Sequence, residues 1–203
     1  MKEVLKYGVL TGLFITPFVA FVVSSSMFFP FITGKNFTFR ILIEVVFALW
    51  LILSLLDVNY RPKFSSLWAA FAIFLGIVVL ADLNSEFVLK SVWSNFERME
   101  GLITIIHLFA YFVVLGAMFV KRITWDYFFH TMLVASAGLS CFGLFQLAGF
   151  LNINQGGIRV DGTLGNATYF AIYLVFHSFL ALFLAVSNKG KEWSGFSRAV
   201  ITG

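Results

Sequence analysis

A short segment ahead of a long apolar stretch carries one arginine and two acids beside aromatic residues. It reads Trp-Ser-Asn-Phe-Glu-Arg-Met-Glu-Gly and includes Glu97, Arg98 and Glu100. A guanidinium has a planar fork of N–H donors that chelates phosphate oxygens and stays charged, so Arg98 is a candidate for binding a charged headgroup at a membrane surface. The alternative is an interfacial belt of aromatic residues, with Arg98 paired to Glu97 or Glu100.

A second segment combines glycines with one arginine immediately before another apolar stretch. Residues 155–166 read Gln-Gly-Gly-Ile-Arg-Val-Asp-Gly-Thr-Leu-Gly-Asn and are followed by Ala-Thr-Tyr. The glycines, among them Gly162 and Gly165, permit positive φ angles and close backbone approach. Free backbone N–H groups at the start of the next helix, with Arg159 beside them, would make an anion site. A tight turn that ends in an ordinary Asn166 helix cap is the alternative.

Three ionisable residues, Glu44, His107 and His177, fall inside apolar stretches. Each is a candidate for function because an ionisable group is costly to bury in a membrane. The alternative for the histidines is a neutral ring that is hydrogen-bonded between helices. No histidine or carboxylate stands three or four positions after His107 or His177, so no metal site and no cofactor is predicted. His130 is expected near the membrane interface, and a single Cys141 excludes a disulfide framework.

The composition indicates which elements must position these residues. The chain has 203 residues, of which 60% are hydrophobic and 12% are charged. Soluble domains carry about 25% charged residues, and the apolar blocks here are long enough to cross a bilayer. The sequence therefore predicts an all-α polytopic integral membrane helix bundle, and it excludes an ordinary soluble domain. The net charge of +4 is explained by the topology rather than by a nucleic acid partner.

Hydropathy predicts a single transmembrane domain over residues 1–203. Its six predicted spans are residues 7–29, 37–56, 64–83, 101–120, 127–151 and 167–187. Alternate loops, together with Arg40 near the start of the second span, then place nine Lys and Arg residues on one side of the membrane and five on the other. The side with nine is predicted to be cytoplasmic and to hold both termini, with a basic tail at 188–203 as a candidate truncation point. The outer loops become 30–36, 84–100 and 152–166, so both arginine-bearing segments face outside.

Together the two segments resemble the bacterial O-antigen ligase and O-antigen polymerase superfamily, which also includes the protein O-oligosaccharyltransferases. The resemblance rests on the Arg-x-Glu-Gly entrance to the fourth span and on the Arg-x-x-Gly-x-x-Gly-Asn turn before the sixth. It covers about residues 60–190. It implies a multi-pass enzyme of the bacterial cytoplasmic membrane whose site faces the periplasm or the outside. Such an enzyme transfers a glycan from an undecaprenyl diphosphate carrier to a hydroxyl of an acceptor glycolipid, glycan or protein.

The resemblance also implies roles for individual residues. Arg159 would hold the lipid diphosphate with Arg98 as a second cation, while Asn166 and Tyr169 would shape the site. The supporting positions are Glu97, Glu100, Gly162 and Gly165. Cations are worth most where the departing diphosphate gains negative charge in a dry site. The catalytic residue itself is not predicted.

Members of the superfamily usually have more spans and a later outer loop with a histidine that activates the acceptor hydroxyl. None of the three histidines here falls in a predicted outer loop. We therefore expect either an incomplete copy that lacks the C-terminal half or a half-module that binds substrate without turning it over. The alternative to the ligase is a non-enzymatic membrane transporter or a lipid-binding or assembly subunit.

Overall fold

The computed structural model describes residues 1–95, 98–154 and 158–187, and the regular secondary structure of these residues is helical. Seven α-helices follow one another: α1 Lys2–Ile15, α2 Thr33–Leu56, α3 Ser66–Leu83, α4 Val88–Trp93, α5 Leu102–Met118, α6 Arg122–Leu147 and α7 Ala167–Ser187. Short 3-10 helices cover Thr16–Phe21 and Val58–Tyr60. The predicted all-α fold class is confirmed.

Within the described ranges, five helical segments are long and apolar enough to span a membrane. They are α2, α3, α6, α7 and the continuous stretch Lys2–Phe21, which joins α1 to the first 3-10 helix. The predicted fourth span corresponds to α5, a shorter apolar helix of 17 residues. At 1.5 Å per residue α5 is about 26 Å long, which is close to the thickness of the hydrocarbon core. The chain is therefore a multi-pass helical membrane protein.

Several boundaries differ from the hydropathy prediction. The first α-helix ends at Ile15 because Pro17 has no backbone N–H and tightens the following turn into a 3-10 helix. Helix α6 ends at Leu147 rather than at 151, because Gly149 adopts a φ of +80° and closes the helix. The short helix α4 lies in the predicted second outer loop, where no helix was expected.

Two compact units make up the fold, Met1–Trp125 and the part from Asp126 onward. In the first unit α2 contacts α1 and α5, and α5 also contacts α3 and α4. Gly12 lies directly against Val46, and a Cβ at Gly8 would be 3.4 Å from Leu49, so these two small residues on one face let α1 pack closely on α2. Aromatic rings join α3 to α5, with the Phe71 and Phe109 centroids 5.2 Å apart.

At each end of the first unit a polar contact joins residues that are far apart in the chain. At one end Lys2 is 3.4 Å from Asp57, and at the other Asn36 donates to Glu100 over 2.8 Å. The pKa of the Asp57 carboxyl is lowered because it accepts the backbone N–H of Asn59 and is paired with Lys2. Asp57 therefore adds stability above its unfolded-state pKa, and this is lost as the pH falls through its lower folded-state pKa.

In the second unit α6 and α7 contact each other through large side chains. The rings of Phe129 and Phe183 lie edge to face at 6.3 Å. Leu139 and Leu184 are fully buried, and Phe170 of α7 lies against Gly143 of α6. These contacts support the loop between the two helices.

Replacing Gly101 by Ala tests the junction of α4 and α5. A Cβ at Gly101 would collide with the backbone oxygens of Ser91 and Val92, which cannot move aside as a side chain would. We expect a loss of about 1–3 kcal/mol, measured as a lower unfolding midpoint in detergent. Gly116→Ala is the matched control because nothing lies within 4 Å of its Cβ position. Equal midpoints for the two variants would contradict this packing.

Candidate functional site

Arg98 and Glu100 lie at the predicted outer end of the first unit. Arg98 is exposed, and its guanidinium lies 4.9 Å from the centre of the Phe29 ring. Glu100 accepts a hydrogen bond from Asn36, and among the described residues it forms no ion pair with Arg98. Glu97, the second predicted partner of Arg98, lies outside the described residues.

Arg40 is a polar residue of this site that the sequence analysis did not single out. It is 5% exposed, and its Nη2 donates to the backbone oxygen of Met99 and, over 2.6 Å, to Thr104 Oγ1. Met99 has a φ of +52°, a left-handed conformation that is uncommon for a residue other than glycine. Arg40 therefore anchors the strained backbone immediately after Arg98.

Glu44 and His107 form a second polar contact between α2 and α5. Glu44 Oε1 is 3.1 Å from His107 Nε2, and His107 Nδ1 is 2.7 Å from the backbone oxygen of Ile103. A carbonyl oxygen can only accept, so Nδ1 carries a hydrogen and donates it. The contact at Nε2 joins this imidazole to a carboxyl inside an apolar span, where ionisable groups are costly to bury.

These contacts form one row that we call the α2–α5 ladder: Asn36–Glu100, Arg40–Thr104 and Glu44–His107. Its three α2 residues are spaced by four positions, so they share one face of the helix. That spacing was the signal that could have identified Arg40 in the sequence. His107, for which a neutral hydrogen-bonded ring was the alternative, is the α5 partner of Glu44.

A mostly apolar cavity of about 400 Å³ lies beside the ladder, between α2, α3 and α5. Glu44 and His107 line it together with aromatic residues that include Phe47, Trp50 and Trp68. The indole N–H of Trp68 is buried and has no hydrogen-bond partner within the described part of the chain. The cavity thus has a mostly apolar wall, the carboxyl and imidazole of Glu44 and His107, and the Trp68 indole N–H, which has no hydrogen-bond partner among the described residues.

In the second unit a buried carboxylate holds the glycine-rich loop. Asp161 is 1% exposed and accepts hydrogen bonds from Gln146 Nε2 at 2.8 Å and from the backbone N–H of Asn154 at 3.1 Å. Gln146 Oε1 in turn accepts the backbone N–H of Gly162 at 2.8 Å. The loop is therefore tied to α6 at its base, while Arg159 remains exposed.

The turn into α7 uses its glycines and asparagine as the sequence indicates. Gly162 and Gly165 have φ angles of +58° and +65°, and the ring of Phe170 lies against Gly162. Asn166 Oδ1 accepts the backbone N–H of Thr168 at 2.8 Å, with a second bond to the next N–H. The Asn166 cap predicted as the alternative is thus present, and it occupies N–H groups that the anion-site hypothesis needed.

Five of the predicted site residues belong to this one turn and helix start: Arg159, Gly162, Gly165, Asn166 and Tyr169. Tyr169 is 54% exposed, whereas both glycines are buried. Arg98 and Glu100 belong to the first unit, so a shared ligand for Arg98 and Arg159 stays a prediction.

His130 and His177 each place Nδ1 near a backbone oxygen four residues earlier, at 2.6 and 2.8 Å.

Comparison with protein-family models, with curated proteins and with solved structures finds no match to this chain. What the helices show is a multi-pass membrane protein, and a lipid bilayer is its plausible partner.

Asp161→Asn tests whether the buried carboxylate holds the loop. The new amide keeps one acceptor oxygen, so its NH2 would face the donor of either Gln146 or Asn154, at a cost of about 1–3 kcal/mol. We expect faster amide hydrogen exchange over residues 158–166 and a lower unfolding midpoint. Asp82→Asn is the control, because the Asp82 side chain has no hydrogen bond to any described residue. Unchanged exchange in Asp161→Asn would refute this role.

Glu44→Ala tests the polar contact of α2 with α5. It would leave His107 Nε2 buried without a partner and should lower the free energy of unfolding by about 1–3 kcal/mol. Glu44→Gln should retain most of the stability, because its amide can donate to the neutral ring. Thermal unfolding in detergent compares the two, with Glu86→Ala as an exposed control. Wild-type stability in Glu44→Ala would argue against the pair.

Proposed function

We propose that this chain is an O-antigen ligase-like membrane glycosyltransferase domain that binds a glycan linked to undecaprenyl diphosphate. Binding takes place at the outer face of the bacterial cytoplasmic membrane. In the full-length type of protein, the glycan passes to an acceptor hydroxyl on a glycolipid, a glycan or a protein. The proposal starts from the resemblance of the two arginine-bearing segments and is supported by the geometry of the second one.

The observation that carries the proposal is the exposed Arg159 on a loop with a fixed base. The buried bonds between Asp161 and Gln146 hold the loop, and Phe170 packs beneath it. A loop backbone that is fixed before the ligand arrives loses less ordering entropy on binding. The guanidinium that this loop carries would stabilise the negative charge that develops during the reaction. Arg159 therefore suits the diphosphate of a lipid carrier at the entrance of an apolar helix.

The other residues take supporting roles in this proposal. Asn166 acts on the backbone as the cap of α7, and so positions the exposed Tyr169 at the first turn. In the first unit Arg40 fixes the backbone next to Arg98, which is the proposed second cation. When the glycan leaves its carrier, the negative charge on the diphosphate grows and the guanidinium of Arg159 stabilises it. No acceptor base is assigned.

A specific observation also favours the alternative of a transporter. The carboxyl of Glu44 and the imidazole of His107 lie in hydrogen-bond contact beside an apolar cavity. The helical segment that begins with α1 changes to a 3-10 helix near Pro17. Intramembrane ionisable pairs and interrupted helices are features of transport pathways. Glu44→Gln separates the two functions, since it should leave lipid diphosphate binding unchanged but abolish proton-coupled transport.

Binding of undecaprenyl diphosphate-linked oligosaccharide to the purified chain in lipid nanodiscs tests the proposal. Loss of a charge-assisted contact worth about 1.5–3 kcal/mol predicts roughly 10- to 100-fold weaker binding for Arg159→Ala. The affinity of Arg159→Lys should lie between those of the wild type and Arg159→Ala, because an ammonium keeps the charge but loses the bidentate fork.

Lys90→Ala is the matched control, since it removes an exposed cation from another predicted outer loop. The control should bind as the wild type does. Wild-type affinity in Arg159→Ala would refute the assignment of Arg159. An equal loss of affinity in Lys90→Ala would also refute it, because any exposed cation would then contribute as much as Arg159 does.

A further inference from the structure

A second cavity, of about 570 Å³, lies at the end of the first unit opposite Arg98. It is bounded by α1, the 3-10 helix Val58–Tyr60 with the residues after it, and the connection between α5 and α6. Three lysines line it: Lys6, Lys63 and Lys121. The topology predicted from the sequence places all three lysines on the cytoplasmic side. No binding role was predicted for them.

The positive charge of this basic pocket is largely uncompensated. Lys6 is 3.5 Å from Glu3, which is the one carboxylate paired with a lining lysine in the described ranges. Lys63 and Lys121 are exposed, and neither has an acidic partner among those residues. Asp57 is already bonded to Lys2 and Asn59.

The rest of the lining is amphipathic. Tyr60 and Thr124 bring hydroxyl groups to the polar part of the pocket, whereas Leu10 and Met118 bring apolar side chains. A free inorganic anion would use the lysines and hydroxyls but gain nothing from the apolar part. A phospholipid would use both, with its phosphate at the lysines and the start of an acyl chain against α1 and α5.

We propose that the basic pocket binds the phosphate headgroup of an anionic phospholipid from the cytoplasmic leaflet. Basic pockets between transmembrane helices on that side suit anionic headgroups, and each lysine near the surface adds about 1 kcal/mol of attraction. The volume is in the usual range for a small-ligand site. A lipid bound there would bridge the N-terminal helix, the turn after α2 and the α5–α6 connection. This site is independent of Arg159 and of glycan binding.

Native mass spectrometry of the whole chain in detergent, titrated with defined lipids, tests the proposal. Phosphatidylglycerol should be retained more tightly than phosphatidylcholine. The double variant Lys63→Gln with Lys121→Gln should bind phosphatidylglycerol about 30-fold more weakly, which is the product of two lysine contributions. Lys63→Arg with Lys121→Arg keeps the charge and should bind like the wild type. The unfolding midpoint of each variant, taken in the same detergent, establishes that it is folded.

The matched control is Lys189→Gln with Lys191→Gln, which removes the same charge from the tail on the same predicted side. Its binding should stay at the wild-type level. Equal retention of phosphatidylglycerol and phosphatidylcholine would overturn the proposal, as would an equal loss in the tail control. Displacement of the lipid by inorganic phosphate at comparable concentration would overturn it as well, because it would identify a site for a free anion.

Discussion

The α2–α5 ladder is the constraint on which the first unit depends. Arg40 and Glu44 lie in a helix whose other surroundings are apolar, and a bilayer core offers no water to satisfy their polar groups. Their bonds to Thr104 and His107 therefore have to come from α5. An alternative packing of α2 and α5 would leave a buried guanidinium and an imidazole without partners, at a cost of several kcal/mol. The ladder thus selects one register for the two helices.

The same contact positions the residues at the surface. Arg40 bonds the backbone of Met99, so the entry to α5 and the neighbouring Arg98 are fixed by a side chain from within α2. The second unit uses a comparable device, since the buried carboxylate of Asp161 and the amide of Gln146 fix the loop that carries Arg159. In both units a buried polar network holds the backbone, and an exposed arginine is left available for a ligand.

Hydropathy was sufficient to predict the all-α class and the apolar helices, because length and composition alone decide whether a helix can cross a bilayer. The small-residue packing of Gly12 and the cap at Asn166 were also predictable, since each depends on local spacing. Arg40 was counted only among the outer-side charges, because it lies near the start of the predicted second span and the sequence does not show that its side chain is buried against α5. The hydrogen bond that Asn36 donates to Glu100 is likewise a tertiary contact that spacing alone does not reveal, whereas the sequence offered a pairing of Arg98 with Glu97 or Glu100 as one alternative.

A double-mutant cycle between Arg40 and Thr104 tests the ladder most directly. Arg40→Met, Thr104→Val and the double variant would be unfolded reversibly in mixed micelles, with Thr38→Val as a control that lies on α2 but outside the contact. The ladder predicts a coupling free energy of about 1–3 kcal/mol for Arg40 with Thr104 and additivity for Arg40 with Thr38. Additive effects within about 0.5 kcal/mol for Arg40 with Thr104 would contradict the account.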